Sequence, residues 1–270
     1  MSINFPLILV LGTGITGLVW LLDALLLKHR RKAAAELAGQ KLADGKAKDD
    51  ALQNILKEPL VVEYSISFFP VLAIVLVLRS FLFEPFQIPT GSMIPTLLVG
   101  DFILVNKYAY GVRLPVIGTK IMDVGEPKNG DVMVFVPPHE DEYFIKRVVG
   151  IPGDRVRYQD KTIYINDEKQ TQVFVAQIPP DKPQYLVYRE MLAGVEHLIH
   201  RDPYRDTRTL EWVIPEGYYF MMGDNRDQSS DSRYWGNVSQ DMIVGKAIAV
   251  WLHKEPGLRL PGFSRNDWIQ

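Results

Sequence analysis

Cysteine is absent from this chain, and that absence excludes several kinds of chemistry. The 270 residues can form no disulfide, thiol nucleophile, zinc finger or cysteine-ligated cluster. The GxSxG sequence of the α/β-hydrolases is also missing. Neither sign of charge dominates, since 30 Lys and Arg residues stand against 32 Asp and Glu residues. The resulting net charge of −2 argues against a dedicated nucleic-acid-binding protein.

Two long apolar runs stand near the N-terminus, and we expect transmembrane helices over residues 5–27 and 60–83. Each run has the length of about 20 mostly apolar residues that a span requires. A cleavable signal peptide is disfavoured for the first run, because its flanking positive charges follow it rather than precede it. A buried core helix is the alternative for the second run.

The segment between the two runs, residues 28–58, is expected to form a cytoplasmic loop. It carries eight Lys and Arg residues against five Asp and Glu residues, and short loops rich in positive charge stay on the cytoplasmic side. Everything after the second run would then lie on the outer face of the membrane.

Residues 84–270 have the pattern of a mainly β domain, barrel-like or sandwich-like. Short runs rich in Val, Ile, Phe and Tyr alternate with turn residues. A helical period is suggested only around Glu190–Ile199. The expected strands are Phe102–Asn106, Val132–Val136, Tyr143–Val149, Arg155–Tyr158, Thr162–Ile165, Tyr218–Met222 and Ile243–Trp251, with a hairpin turn around Gln159–Lys161.

Three motifs suggest ligands but have simpler explanations. Gly12, Gly14 and Gly17 spell GxGxxG inside an apolar run, where small residues more often serve helix contact than dinucleotide binding. His197 and His200 lack the carboxylate support of a zinc site. The acidic segment 224–231 matches no calcium-loop spacing, so a hydrogen-bonded polar loop is favoured.

Two residues could together perform acyl transfer. Ser92 lies between Pro89 and Pro95, which restrict the backbone, so we expect a rigid extended loop there. Lys146 lies among apolar residues in an expected strand, on the same side as Phe144. Burial would lower the pKa of such an amine and allow it to act as a general base. Taken alone, each residue is better explained without catalysis, Ser92 as an ordinary turn serine and Lys146 as a strand-edge charge.

A resemblance adds what spacing cannot supply. The stretches PFQIPTGSMIPTLLVGDFILVNKYAYG, GDVMVF, YFIKRVVGIPGDRV and GDNRDQSSDSRYWG resemble the conserved boxes of bacterial type I signal peptidases, in the family's order. Two apolar runs around a positive loop resemble the Gram-negative form. The chain is shorter than well-known two-span relatives, and residues 166–211 match no box, which leaves the accessory part of the fold open.

The resemblance implies a role for several residues. Ser92 would be the nucleophile and Lys146 its general base, while the Ser92 backbone N–H and the Thr90 hydroxyl would form the oxyanion hole. Ser229 would donate a hydrogen bond to Lys146, and Asp231 with Arg233 would support the pair. Two shallow apolar pockets for small substrate side chains would be formed by Phe86, Ile88, Met93, Ile103, Val134, Phe144 and Ile145.

The resemblance also implies a biological role. The chain would be a serine endopeptidase, with a mainly β Ser-Lys domain anchored by two transmembrane helices in the bacterial inner membrane. Its partners would be the signal peptides of exported preproteins and the lipid bilayer, without cofactor, metal or nucleic acid. One alternative is another Ser-Lys hydrolase, such as a self-cleaving repressor. The other is a membrane-anchored β domain that binds envelope partners without catalysis.

Overall fold

The computed structural model describes residues 5–43, 45–206, 208–255 and 257–270. The chain forms two compact units. A helical unit ends at Phe81 and also includes Leu114–Thr119, and a β-rich unit comprises Leu82–Arg113 and Lys120–Gln270.

The helical unit contains two helices that are long and apolar enough to cross a membrane. The first runs without a break over Phe5–Lys41 and the second over Leu60–Leu82. Each includes a π-helical turn, at Asp23–Leu27 and at Leu78–Leu82. The α-helices of this unit are α1 (Phe5–Leu22), α2 (Lys28–Lys41), α3 (Lys46–Leu56) and α4 (Leu60–Val77). The β-rich unit contains one short helix, α5 (Ser232–Trp235).

The glycines of the GxGxxG motif lie on α1, where the helix packs against α4. A Cβ atom at Gly17 would lie 2.6 Å from the ring of Phe69. Trp20 stacks on that same ring at a centroid distance of 5.3 Å. These contacts need a small residue at position 17, so Gly17 serves helix packing. Among the described residues no strand precedes the motif, although a dinucleotide site would require one.

The β-rich unit is built on one large sheet and three smaller ones, which confirms the expectation of a mainly β domain. The described strands are β1 (Phe83–Gln87), β2 (Asp101–Asn106), β3 (Val112–Arg113), β4 (Lys120–Met122), β5 (Val132–Phe135), β6 (Phe144–Gly150), β7 (Arg155–Gln159), β8 (Thr162–Ile165), β9 (Glu168–Lys169), β10 (Thr171–Ile178), β11 (Tyr185–Leu192), β12 (Val195–Arg201), β13 (Leu210–Val213), β14 (Tyr218–Met222), β15 (Val238–Ser239), β16 (Ile243–His253) and β17 (Asp267–Trp268).

The large sheet has eight strands in the order β1-β2-β16-β5-β6-β14-β15, with β17 paired to β16. Its strands alternate apolar residues between two buried clusters, one around Ile103 and Val134 and the other around Phe135 and Met221. Strand β6 lies between β5 and β14, and nearly all of it is buried. Residues on β6 therefore project into a dry environment on both faces.

Residues 166–211 form most of an accessory β region. Strands β10, β11 and β12 make an antiparallel three-stranded sheet, and β13 joins the sheet β13-β7-β8-β9. The helical period suggested around Glu190–Ile199 is wrong, because this segment is the hairpin of β11 and β12. Its turn at Ala193 and Gly194 has positive φ at both residues, as a tight hairpin turn requires. Asp160 and Lys161 show the same feature between β7 and β8, where a hairpin is expected.

Candidate active site

Ser92 lies in a compact turn rather than in the extended loop expected from the flanking prolines. Residues Gly91–Met93 form one 3₁₀ turn, and only Thr90 and Ile94 on either side are extended. The Ile94 N–H closes the turn by donating to the Gly91 carbonyl at 3.2 Å. Ser92 is buried at 8% exposure. The turn thus fixes the backbone of Ser92 within the protein interior.

Lys146 reaches Ser92 from the buried face of β6. Its Nζ lies 2.7 Å from the Ser92 Oγ, and it also donates to the Ile145 carbonyl at 2.9 Å. The ammonium lies 5.3 Å from the centroid of the Phe144 ring, on the side of the strand that alternation predicts. Two residues 54 positions apart are therefore in direct hydrogen-bond contact.

The environment of Lys146 makes its neutral form more accessible than that of an exposed lysine. The side chain is almost fully buried, and burial lowers its pKa from 10.5 to about 8. The charges of Asp231 and Asp224 act in the opposite direction and raise the pKa. Desolvation wins, so Lys146 can lose its proton at a pH where an exposed lysine stays charged.

The Thr90 hydroxyl also lies near the Ser92 side chain. Its Oγ1 is 3.5 Å from the Ser92 Oγ, at the outer limit of a hydrogen bond. A donor at this distance is close enough to reach an oxygen bound to a carbon that Ser92 has attacked. The Thr90 hydroxyl thus lies within reach of the Ser92 side chain, and its part in an oxyanion hole with the Ser92 N–H stays a prediction.

Ser229 is close to the pair but does not make the expected hydrogen bond. Its hydroxyl is buried and has no hydrogen-bond partner among the described residues. A Cβ atom added at Gly223 would collide with both the Ser229 hydroxyl and the Ser92 carbonyl oxygen. Gly223 therefore lies between Ser229 and the Ser92 carbonyl, and its lack of a side chain allows both to approach it closely.

Asp231 and Arg233 form the expected ion pair. Arg233 donates from Nε and from one terminal nitrogen to the two carboxylate oxygens of Asp231, each at 2.8 Å. The Asp231 carboxylate also accepts the Gly223 N–H at 3.1 Å. The pair thus holds the backbone at Gly223, which in turn lies against Ser92.

The seven residues expected to form apolar pockets fall into two groups. Phe86 packs on the edge of the cluster that holds most of them, whereas Phe144 packs on the neighbouring cluster around Phe135. Met93 and Ile103 are completely buried and can contribute only to the floor of a pocket. The members of the main cluster are Ile88, Met93, Ile103, Val134 and Ile145.

Asn225 supports the Ser92 turn, although the sequence indicated it only as a member of the acidic segment 224–231. Its backbone N–H donates to the Ser92 carbonyl at 3.1 Å, and its side-chain amide donates to the Gly91 carbonyl at 3.0 Å. One residue therefore binds two of the carbonyl oxygens of the Ser92 turn. The signal in the sequence was only the density of hydrogen-bonding side chains in the segment after Met222.

Asp224 joins the same segment to β6 on the face opposite Lys146. Arg147 donates to its two carboxylate oxygens at 2.9 and 2.8 Å, and the Thr96 hydroxyl donates a further short hydrogen bond. Burial acts to raise the pKa of Asp224, but the charge and hydrogen bonds of Arg147 bring it below its usual range. Asp224 thus remains a buried carboxylate paired with an arginine.

The residues considered for metal binding have other partners. Asp227 pairs with Lys161 at 2.9 Å, and His197 lies 3.2 Å from Glu190. His200 stacks on the Tyr185 ring at 5.3 Å. In the described part of the chain, no three His, Asp or Glu side chains are grouped as metal ligands. These groups therefore form ion pairs and stacks within the protein.

Comparison with known proteins shows the family of this chain. The family described as "Signal peptidase, peptidase S26" matches residues 61–252. A signal peptidase I of Pseudomonas aeruginosa is 51% identical over 98% of this chain and 98% of its own length. A signal peptidase I of Pseudomonas fluorescens is 50% identical over the full length of both chains, and one of Haemophilus influenzae is 36% identical over 93% of this chain and 86% of its own. The chain therefore belongs to the signal peptidase family, peptidase S26, as its motifs predict.

Proposed function

We propose that this protein is a membrane-anchored serine endopeptidase that cleaves signal peptides from exported preproteins with Ser92 and Lys146. The observation that carries the proposal is the 2.7 Å contact between a buried hydroxyl and a buried amine whose pKa is lowered to about 8. A neutral amine in that position is a general base for serine, and Ser-Lys pairs are a known variant of the serine triad.

In the first half of the reaction, Lys146 takes the proton of the Ser92 hydroxyl as Oγ attacks the scissile carbonyl carbon. The carbonyl π electrons move to oxygen, and the Ser92 N–H and the Thr90 hydroxyl stabilise the resulting oxyanion. Collapse of the intermediate breaks the peptide C–N bond, and the Lys146 ammonium gives its proton to the leaving amine. An acyl-enzyme on Ser92 remains, and the mature protein departs.

The second half repeats these steps with water as the nucleophile. Lys146, neutral again, takes a proton from water as the water oxygen attacks the acyl carbon. The ester bond to Ser92 breaks, and Lys146 returns the proton to the serine oxygen. Lys146 is neutral at the start and at the end of each cycle, so no third side chain is needed to remove its proton.

The apolar cluster beside Ser92 supports a preference for small residues before the cleaved bond. Ile88 and Ile145 are buried within it, and Met93, directly after the nucleophile, has no exposed surface. We expect a close-packed floor of this kind to accept small side chains such as Ala or Gly better than larger groups. Signal peptides carry small residues of this kind before their cleavage site.

Anchoring in the cytoplasmic membrane is part of the proposal. The apolar helices Phe5–Lys41 and Leu60–Leu82 meet the length requirement for spans. The positively charged segment 28–58 would stay in the cytoplasm, and residues 84–270 would lie on the periplasmic side. This orientation supplies the peptidase with exported substrates at the face where they emerge.

The test is cleavage of a preprotein with Ala-x-Ala before the cut by the full-length protein in detergent, with products mapped by mass. Wild type should cleave after the second Ala, and Ser92→Ala and Lys146→Ala should not. Lys246→Ala is a matched control, because Lys246 lies in the same sheet and pairs with Asp131 at 2.5 Å. Cleavage by folded Lys146→Ala at the wild-type rate would overturn the proposal.

A further inference from the structure

The accessory hairpin carries a buried carboxylate with an unusual number of donors. Glu190 on β11 has no exposed surface. Its two oxygens accept hydrogen bonds from the side chains of Gln172 at 2.7 Å and Arg226 at 2.8 Å, and Arg226 makes a second, short bond. His197 lies 3.2 Å away. So complete a shell identifies Glu190 as a fixed anion within the fold.

The main partner of Glu190 belongs to the segment that holds Ser92. Arg226 is buried at 1% exposure. Its backbone N–H donates to the His200 carbonyl at 3.0 Å, and its carbonyl accepts a short hydrogen bond from Arg233. The residue before it, Asn225, donates to the Ser92 carbonyl. Arg226 therefore joins the accessory hairpin to the backbone that supports the nucleophile.

The two halves of this connection use different physical means. Between Glu190 and Arg226 the contact is a bidentate ion pair between side chains, which fixes both distance and orientation. Between Asn225 and the Ser92 turn it consists of one bond from the backbone and one from the side chain. A shift of Arg226 would move the adjacent backbone of Asn225 and with it the Ser92 carbonyl.

We propose that Glu190 is a positioning residue for peptide cleavage: acting through Arg226 and Asn225, it holds the Ser92 turn in register with Lys146. The proposal rests on the proposed function, since it requires Ser92 to be the nucleophile. It gives the accessory region, which matches none of the conserved boxes, a direct part in the reaction geometry.

Loss of the carboxylate charge would leave the Arg226 guanidinium buried without a counter-ion. Such a charge is strongly unfavourable, so Arg226 would move toward water or another acceptor. Substrate binding would be little affected, because Glu190 does not belong to the apolar cluster proposed to receive the substrate. The expected effect is therefore on kcat rather than on KM.

The test compares Glu190→Gln with wild type in the full-length, detergent-solubilised protein. We expect kcat to fall about tenfold with KM within about twofold, because a displacement on the order of 1 Å can cost a hundredfold in rate. Glu196→Gln is the matched control, since Glu196 lies on the same hairpin and makes an exposed pair with Arg189 at 3.4 Å. It should retain wild-type kcat.

Two further measurements separate positioning from a general loss of stability. Hydrogen exchange at the Asn225 amide, which donates to Ser92, should become faster in Glu190→Gln but not in Glu196→Gln. The double variant Glu190→Gln/Arg226→Gln removes the unpaired charge and allows an amide–amide hydrogen bond. It should recover part of the lost kcat, and it supplies the comparison if the single variant does not fold.

The proposal is wrong if kcat of folded Glu190→Gln stays within about twofold of wild type. It is equally wrong if kcat falls while exchange at Asn225 is unchanged, because Glu190 would then act by another route. A double variant no more active than the single one also counts against it. Failure of the proposed function has a different signature, since Ser92→Ala would then cleave as well as wild type.

Discussion

The pH dependence of cleavage is the prediction that the structure determines most directly. The perturbation is a change of pH across the pKa of Lys146, which burial lowers from 10.5 to about 8. Only the neutral amine can accept the Ser92 proton, so kcat/KM should follow the neutral fraction of Lys146 in the free enzyme. The rate should rise with pH and level off above the pKa.

The size of the effect follows from that pKa of about 8. The neutral fraction is about 1% at pH 6, about 9% at pH 7, half at pH 8 and about 99% at pH 10. We therefore expect kcat/KM to increase by roughly tenfold per pH unit below pH 7, and by about a hundredfold in total between pH 6 and pH 10. An unperturbed lysine would leave less than about one molecule in a thousand active at pH 7.

The assay is steady-state cleavage of a peptide that lacks titratable groups near the cut, from pH 5.5 to 10.5 at constant ionic strength. Circular dichroism at each pH checks that the protein remains folded. Lys246→Ala, which removes a lysine elsewhere in the sheet, should give the same midpoint as wild type.

A midpoint near 10.5 would refute the argument, because it would mean that burial does not lower the pKa of Lys146 in the free enzyme. A midpoint near 6.5 would also refute it, since histidine rather than lysine would then control the rate. Retention of the wild-type profile by Lys146→Ala would exclude Lys146 as the base.

Three shorter predictions follow from the same site. Lys146→Met should be more stable than wild type by about 2 kcal/mol at pH 7 in urea titrations. In wild type, lowering the pKa of Lys146 costs about 3 kcal/mol of folding free energy below pH 8, and this cost disappears by pH 10.5. The variant avoids that cost but loses about 1 kcal/mol of hydrogen bonding. A stability difference that does not depend on pH would contradict this explanation. Gly223→Ala should reduce kcat at least tenfold, since its methyl group collides with Ser92 and Ser229, whereas wild-type kinetics would show that the contact can relax. Thr90→Val should lower kcat by about 10²-fold while Thr90→Ser stays active, if the hydroxyl stabilises the oxyanion.

The strands of the large sheet could be predicted from sequence because their signal is local. Val132–Phe135 and Tyr218–Met222 combine β-branched or aromatic residues with flanking turn residues, and the structure has strands there. Strand β1 (Phe83–Gln87) was missed, because its aromatic residues continue an apolar run that favours a helix. It contains Pro85, which an edge strand such as β1 tolerates.

The accessory strands were harder for a different reason. In β11 the buried positions are Val187, Glu190 and Leu192, which do not follow a simple alternation of apolar and polar residues. A carboxylate on the buried face looks like a surface residue until its partner is known. That partner, Arg226, is 36 positions away, and no local pattern connects the two.

The meeting of Ser92 and Lys146 had the same limitation. Proline spacing and strand alternation give each residue a local geometry, but the contact depends on the order of strands in the sheet. The resemblance to the family boxes identified the pair, and the 2.7 Å contact supports it independently. The compact turn at Ser92 differs from the extended loop that Pro89 and Pro95 predict, because a residue between two prolines is still free to form a single 3₁₀ turn.

The arrangement of charge around Lys146 explains why the segment after Met222 is so polar. Asp224 and Asp231 both raise the pKa of Lys146, which on its own would oppose a neutral base. Each carboxylate is held by two nitrogens of one arginine, Arg147 or Arg233, so each ion pair is neutral as a unit. The pairs can therefore fix the backbone beside Ser92 without leaving a net negative charge next to the amine. An acidic segment that suggests a cation site when taken alone is thus better explained as a set of ion pairs that holds the backbone at Ser92 while burial keeps the pKa of Lys146 low.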